Sequence, residues 1–147
     1  MTGRLRERRQ RHAIETRELV EGIEARGWQL ADGVAGRLVG WMGRRRIARS
    51  AGLCLMPCRG VHAFFMRFPI DVVFLARDGT ILKRVDRLPP GRAVVHPAAF
   101  AVLELPAGAA KSHDLVVGGN VKTSVARRTE FLQSSSPSSR VDPPCNA

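Results

Sequence analysis

Cysteine and long apolar runs are both scarce in this sequence of 147 residues. Its cysteines, Cys54, Cys58 and Cys145, form an odd set, and the last lies in a proline-rich stretch, so a disulfide framework is not expected. No apolar run approaches the roughly 18 to 20 residues that a membrane-spanning helix needs. The basic residues at 1–12 are not followed by the apolar core of a secretory signal. These absences predict a soluble, cytoplasmic protein.

Acidic residues are few as well, since 13 Asp and Glu stand against 24 Lys and Arg, which gives a net charge of +11. None lies between Gly33 and Ile70, a stretch that contains Arg37, Arg44, Arg45, Arg46, Arg49, Arg59 and Arg67. Such an excess predicts an anionic partner, namely an anionic ligand, an acidic protein or an acidic membrane surface. Nucleic acid is less favoured, because the sequence shows no helix-turn-helix or base-stacking pattern. A GC-rich genome would produce the same arginine excess without any function.

The composition divides the chain into three parts. Residues 1–27 combine a basic arm with a short amphipathic helix that begins near Ala13 and has Gly27 as its C-cap. Residues 28–126 have the size and apolar content of one β-rich globular domain. Residues 127–147 are rich in serine and proline and are predicted to form a disordered tail. Neither the arm nor the tail carries enough apolar surface to offset its ordering entropy, so both are expected to be dispensable for folding.

Short strands dominate the predicted domain. Runs of branched and aromatic residues, most of them bounded by proline or glycine, predict strands at residues 53–56, 61–66, 70–76, 93–96, 100–105 and 121–125. Asp78-Gly79 is the signal of a hairpin with a two-residue loop. A short helix or turn is expected at 36–46, and a brief helix from Ala107. The sequence therefore predicts an α+β fold dominated by β structure: a small, mostly antiparallel sheet or partly closed barrel with one or two short helices.

The stretch at residues 57–79 combines the most apolar bulk with side chains able to do chemistry. Cys58, His62 and Asp71 have the residue types of a thiol nucleophile, a base and an orienting acid, with Glu104 as an alternative acid. No signature of a known cysteine hydrolase surrounds them, so an enzyme is the alternative interpretation rather than the main one.

A structural role is favoured for Asp71, which interrupts an apolar run. A carboxyl group in such a run needs hydrogen-bond or charged partners if it is buried. Arg67 and Arg59 are the expected partners, together with backbone donors at the start of a strand. Replacing Asp71 is therefore expected to destabilise the protein.

A metal site has weaker support. Cys54, Cys58 and His62 are spaced four and four, which on a helix would place them on one face. Pro57 and Gly60 are incompatible with that helix, and a fourth ligand is missing unless His96 supplies it. The sequence therefore predicts neither a metal nor another cofactor, and small, partly buried thiols explain the cysteines.

Several motifs resemble one known family. These are FMRFPIDVVFL at residues 65–75, the Asp-Gly turn that follows, and AVLELPAG at 101–108. Upstream, RLVGWMGR at 37–44 is similar to the family's arginine and glycine motif, and PCRGVH at 57–62 to a bacterial subgroup. In this order they resemble the domain of unknown function 192 family over residues 30–125. The resemblance implies a compact single-domain β-rich fold and no established reaction.

The main functional prediction is a basic, soluble bacterial protein that acts as a non-catalytic binding or accessory module. Its pocket or groove would be lined by residues 64–71 and rimmed by arginine, and the predicted ligand-binding residues are Arg59, His62, Met66, Arg67, Asp71 and Glu104. One alternative is a small thiol- or metal-dependent enzyme that uses Cys58, His62 and Asp71. The other is nucleic-acid association through the arginine-rich segments.

Overall fold

The computed structural model describes residues 2–31, 41 and 45–123. Among these residues, seven short strands follow one another between two helices. In chain order they are α1 (Thr2–Glu24), β1 (Gln29–Ala31), β2 (Leu53–Leu55), β3 (Gly60–His62), β4 (Ile70–Leu75), β5 (Ile81–Leu88), β6 (Ala93–Val95), β7 (Ala101–Pro106) and α2 (Ala109–Ser112).

Five strands form one sheet in the order β1-β2-β7-β4-β5, and β3 and β6 form a separate two-stranded ribbon. All pairs are antiparallel except β1 with β2. The predicted α+β, β-dominated and mostly antiparallel fold is thus confirmed. Within the described residues, the five-stranded sheet stays open and does not close into a barrel.

The central strands β4 and β7 are buried along their whole length because both faces of the sheet are covered. One face carries Cys54, Val73 and Leu103, which belong to a core cluster with residues of α1 and α2. We call this the helix face. The other face carries Val72 and Val102, which belong to a second cluster with residues of β3 and the turn after it. We call this the ribbon face.

Helix α1 extends further toward the N-terminus than the sequence predicted, since residues from Thr2 onward, assigned to a basic arm, are already helical. Arginine is a good helix former, so the basic run is compatible with this extension. The helix is anchored near its other end, where Leu19 and Ile23 are fully buried. Neither helix of the described residues combines the length and apolarity that crossing a bilayer requires.

A Schellman motif ends α1 and confirms the predicted glycine cap. Gly27 has φ of 71°, its N–H donates to the carbonyl of Glu24 at 2.8 Å, and the N–H of Trp28 donates to that of Ile23 at 3.3 Å. Glycine suits this position because it adopts positive φ without a Cβ penalty. Trp28 and Ile23 both belong to the helix-face cluster, and this packing fixes the direction in which the chain continues from α1 into β1.

The predicted hairpin joins β4 to β5, but its loop is longer than two residues. The N–H of Ala76 donates to the carbonyl of Thr80 at 2.9 Å, and the N–H of Gly79 donates back to the carbonyl of Ala76 at 3.1 Å. The loop therefore contains residues 77–79. Asp78 favours this turn through its Oδ1, which accepts the N–H of Thr80 at 2.9 Å.

Other predicted elements differ in extent. Strand β3 ends at His62, and the residues after it form a turn rather than more strand. Residues 121 and 122 form a turn and Thr123 is helical, so the predicted closing strand does not begin there, although Thr80 makes an isolated bridge with Asn120. The predicted helix or turn at 36–46 is described only at Trp41, which is buried, and at residues 45 and 46. The tail at 127–147, with Cys145, lies outside the described residues, as do Arg37 and Arg44.

Candidate binding surface

The β3–β6 ribbon has one face on the core and one in solvent. Val61 pairs with Val94, and both pack against the ribbon-face cluster. Because side chains alternate along a strand, the other two pairs, His62 with Ala93 and Gly60 with Val95, face outward. A Cβ on Gly60 would lie 2.7 Å from Cγ1 of Val95, so the glycine leaves the space that the Val95 side chain occupies beside β3.

Two exposed phenylalanines continue the outer face of the ribbon. The rings of His62 and Phe64 stack with centroids 4.9 Å apart and an interplanar angle of 22°. Phe64 is 43% exposed and Phe65 is 83% exposed. Phe65 also has φ of 62°, which is rare for a bulky residue and is a backbone outlier of the kind that often marks a functional site.

The turn that carries these rings is held from both ends. The N–H of Ala63 donates to the carbonyl of Arg92 at 2.7 Å, and that of Gly91 donates to the carbonyl of Ala63 at 2.9 Å. Ala63 and Met66 are buried in the ribbon-face cluster. The aromatic rings therefore stand on a turn that is fixed by buried neighbours.

The stretches of chain that contain and flank the ribbon carry charge of one sign. Residues 45–70 and 87–103 contain no Asp or Glu, while their arginines are all exposed: Arg45, Arg46, Arg49, Arg59, Arg67, Arg87 and Arg92. Arg59 precedes β3, Arg92 precedes β6, and Arg67 follows the turn. We call the set formed by Arg59, His62, Phe64, Phe65, Arg67, Arg92 and Val95 the aromatic ribbon surface.

Asp71 lies away from this surface, fully buried on the helix face beside Leu105. Its Oδ1 accepts the N–H of Arg87 at 2.9 Å, and its Oδ2 accepts the N–H of Ala110 at 3.0 Å. The expected partners Arg59 and Arg67 are instead exposed. The partners of Asp71 are therefore backbone donors, which agrees with a structural role.

Glu104 occupies the opposite face of the same sheet. It lies in β7 between Leu53 of β2 and Val72 of β4 and is 7% exposed. Its carboxyl group makes no hydrogen bond or ion pair with the residues that the structure describes. Burial alone raises the pKa of Glu104 to about 7, because the charged form loses its hydration.

The two described cysteines differ in environment. Cys54 is fully buried, and its burial, followed by the charge of Cys58, raises the pKa of its thiol to about 12. Cys58 is half-buried, and its Sγ donates to the carbonyl of Gly60 at 3.1 Å. A thiol held protonated is a poor nucleophile and metal ligand, so Cys54 fits a packing role.

The predicted site residues do not all lie together. Arg59, His62 and Arg67 lie on or beside the ribbon, and Met66 packs beneath it. Cys58 packs against the ribbon-face cluster, whereas Asp71 points to the helix face, so the structure does not assemble Cys58, His62 and Asp71 as a catalytic set. In the described part of the chain, no three His, Cys, Asp or Glu residues lie close enough to hold a metal ion.

Sequence reasoning placed Phe64 and Phe65 in the segment that lines the predicted pocket but did not name them as ligand-binding residues, and it missed Arg92 and Val95. The signal for the phenylalanines was their adjacency, because two neighbouring residues of an extended strand cannot face the same core. Arg92 and Val95 gave no comparable signal, since their exposure depends on which face of β6 packs inward.

The model of one protein family, domain of unknown function 192 (DUF192), described as "Uncharacterized ACR", matches residues 19–123. No curated protein matches the chain. A protein of unknown function from Novosphingobium aromaticivorans shares 20% identity with a TM-score of 0.57, over 63% of this chain and 71% of that one. A proposed transcription regulator from Sinorhizobium meliloti shares 28% identity with a TM-score of 0.57, over 63% of this chain and 78% of that one.

Proposed function

The chain belongs to the domain of unknown function 192 family, and from this premise we propose that it is a non-catalytic module that binds an anionic partner through the aromatic ribbon surface. The observation that carries the proposal is the exposure of Phe64 and Phe65 within a region that has arginines and no carboxylates. Exposed apolar side chains rimmed by charge are typical of interaction sites. Arginine suits such a rim because its planar fork binds carboxylates, sulfates and phosphates.

The backbone of the ribbon supports this proposal. The positive φ of Phe65 costs free energy, and a bulky side chain persists in this conformation only when its surroundings impose it. The exposed ring gains little from burial in the free protein, so we attribute this conformation to contact with a partner. The S. meliloti relative, as a proposed transcription regulator, is consistent with an anionic partner.

The thiol- or metal-dependent enzyme has less support. Asp71 uses both carboxyl oxygens to accept backbone hydrogen bonds, which leaves it poorly placed to orient a histidine. Asp71 makes these hydrogen bonds on the helix face, whereas Cys58 packs against the cluster on the ribbon face. A binding module therefore accounts for more of the arrangement than an enzyme does.

Binding to heparin, a polyanion, tests the proposal. We expect the triple variant Arg59→Glu, Arg67→Glu and Arg92→Glu to elute from immobilised heparin at much lower salt than the parent, because it reverses charge at the aromatic ribbon surface. The matched control is Arg6→Glu, Arg8→Glu and Arg11→Glu on the exposed part of α1, which changes the net charge equally. Equal shifts for both variants, or no retention of the parent, would contradict the proposal.

A further inference from the structure

We propose that the anionic partner is a single-stranded nucleic acid, whose bases stack on His62, Phe64 and Phe65 while its phosphates contact the neighbouring arginines. This inference rests on the proposed function and adds the chemical class of the partner. It reverses the order of partners expected from the sequence. The reason is that the structure contains an exposed aromatic stack, which the sequence did not reveal.

The aromatic platform is the first argument. His62 and Phe64 already stack on each other at 4.9 Å and 22°, so their planes are nearly parallel and a base can extend the stack. Phe65 is 83% exposed, which leaves its ring accessible to a second base. Exposed aromatic rings on a β surface bind bases without sequence preference, because every base has a π face.

The charge pattern is the second argument. Arg59 lies at one end of the ribbon, next to His96, whose N–H donates to the Arg59 carbonyl at 2.7 Å. Arg92 lies at the other end, where its carbonyl accepts the N–H of Ala63 next to the aromatic turn. Cations are thus present at both ends of the ribbon that carries the platform, where they can contact a phosphodiester backbone. The absence of Asp and Glu from residues 45–70 and 87–103 removes local repulsion.

The same features favour single strands over other anionic partners. In a duplex the base faces are stacked on each other, so an aromatic platform gains nothing from them unless the strands separate. An acidic peptide or a sulfated sugar would bind the arginines but has no flat ring to stack on His62 and Phe64. An anionic membrane could contact both the arginines and the exposed phenylalanines, and it is therefore included as an outcome of the test.

Fluorescence anisotropy with a labelled 20-nucleotide oligothymidylate tests the inference on the full chain. We expect the parent to bind this strand more tightly than a mixed-sequence duplex of equal length at the same salt. Phe64→Ala with Phe65→Ala should weaken binding of the single strand by about 5- to 150-fold for each stacked base that is lost, and should leave duplex binding unchanged. The control is Val116→Ala with Val117→Ala, an exposed apolar pair on another loop, which should bind like the parent.

Unfolding midpoints equal to that of the parent would show that the variants are folded, as expected for exposed side chains. If the phenylalanine variant binds oligothymidylate as the parent does, while the Arg59, Arg67 and Arg92 variant still loses heparin binding, the stacking inference falls and the proposed function stands. Binding to vesicles of phosphatidylserine but not to oligothymidylate would also overturn the inference, in favour of a membrane. If the parent binds neither heparin, oligothymidylate nor such vesicles, the proposed function falls with it.

Discussion

Asp71 joins three elements through one side chain. Opposite it, β5 contains a bulge, because Ile70 pairs with Leu88 but Val72 pairs with Val85. The extra residue Arg87 has φ of 54°, and its N–H is accepted by Asp71. The second donor is Ala110 in the first turn of α2, where N–H groups have no partner within the helix. Asp71 thus satisfies two donors that regular secondary structure leaves unpaired.

We expect Asp71→Ala to lower the free energy of unfolding by about 2 to 6 kcal/mol, because it leaves two backbone donors without an acceptor and each costs about 1 to 3 kcal/mol. Urea titration measures the loss. The control is Asp78→Ala, whose exposed carboxyl accepts one backbone N–H and whose loss should cost at most about 1 kcal/mol. An Asp71→Ala protein as stable as the parent, with an unchanged slope, would rule out the structural role.

Glu104 differs from Asp71 because its buried carboxyl group has no hydrogen-bond partner among the described residues to offset the loss of hydration. Its pKa is raised from the ordinary 4.5 to about 7, so the folded protein holds this proton over a pH range in which the unfolded chain releases it. Stability must therefore fall as pH rises from about 4.5 to about 7 and then stay level with respect to this group. The total loss is about 3 kcal/mol, at about 1.4 kcal/mol per unit.

We expect Glu104→Gln to abolish this pH dependence, because the amide fills the same space without ionising. The measurement is the difference in free energy of unfolding between variant and parent at pH 4 and at pH 8. Relative to the parent, the variant should be more stable at pH 8 than at pH 4 by about 3 kcal/mol. Other titrating groups affect both proteins equally, so their effects cancel in this difference. The same difference at both pH values would show that Glu104 is charged at no cost, through contacts that its burial does not reveal.

At the scale of elements, α1 is a helix of two unequal halves. Residues 3–14 are exposed, whereas Leu19 and Ile23 are buried in the helix-face cluster. Two polar contacts strengthen the buried half: Nζ of Lys122 lies 2.7 Å from Oε2 of Glu18, and Arg77 donates to Thr16 at 3.2 Å. Tertiary packing therefore stabilises the second half, while the first half depends on helix propensity.

We expect Leu19→Ala to lower the free energy of unfolding by about 2 to 5 kcal/mol, because it removes a buried side chain and leaves a cavity. The same substitution at the exposed Leu5 on the same helix should change it by less than about 0.5 kcal/mol. Removal of residues 1–12 should likewise leave the unfolding midpoint close to that of the parent. Similar costs at Leu5 and Leu19 would mean that the first half of α1 also packs on the protein.

At the scale of the whole molecule, the central strands couple the two cores. Neighbouring residues of β4 and β7 point to opposite faces, so Val73 and Leu103 enter the helix-face cluster while Val72 and Val102 enter the ribbon-face cluster. Separating β4 from β7 would therefore disrupt the packing of both clusters at once. We therefore expect the layer that carries the aromatic ribbon surface to unfold together with α1.

The two tryptophans report this coupling, since Trp28 belongs to the helix-face cluster and Trp41 to the ribbon-face cluster. We expect the fluorescence of Trp28, followed in Trp41→Phe, to change at the same urea concentration as the circular dichroism of that variant. The same coincidence is expected for Trp41 in Trp28→Phe. Two separated midpoints in either variant would show that one layer unfolds without the other.

The sequence alone determined the features that depend on local chemistry. Glycine and proline bound the short strands, the Asp-Gly pair marks the β4–β5 hairpin, and a carboxyl group inside the apolar run at residues 70–75 implies partners for Asp71. These signals act through neighbouring residues, so they can be recognised before any fold is known. The family motifs added the expectation of a compact β-rich domain, which the fold confirms.

The tertiary structure alone decided which face each of these residues occupies. Asp71 and Glu104 both lie in strands buried along their whole length, where the usual alternation of polar and apolar residues is lost, so the sequence could not show that they lie on opposite sides of the sheet. The exposure of Phe64 and Phe65 has a similar origin, because β3 ends at His62 and the turn after it directs the rings outward. Local patterns specify where strands begin and end, but the choice of face is made by long-range pairing and by what covers each side of the sheet.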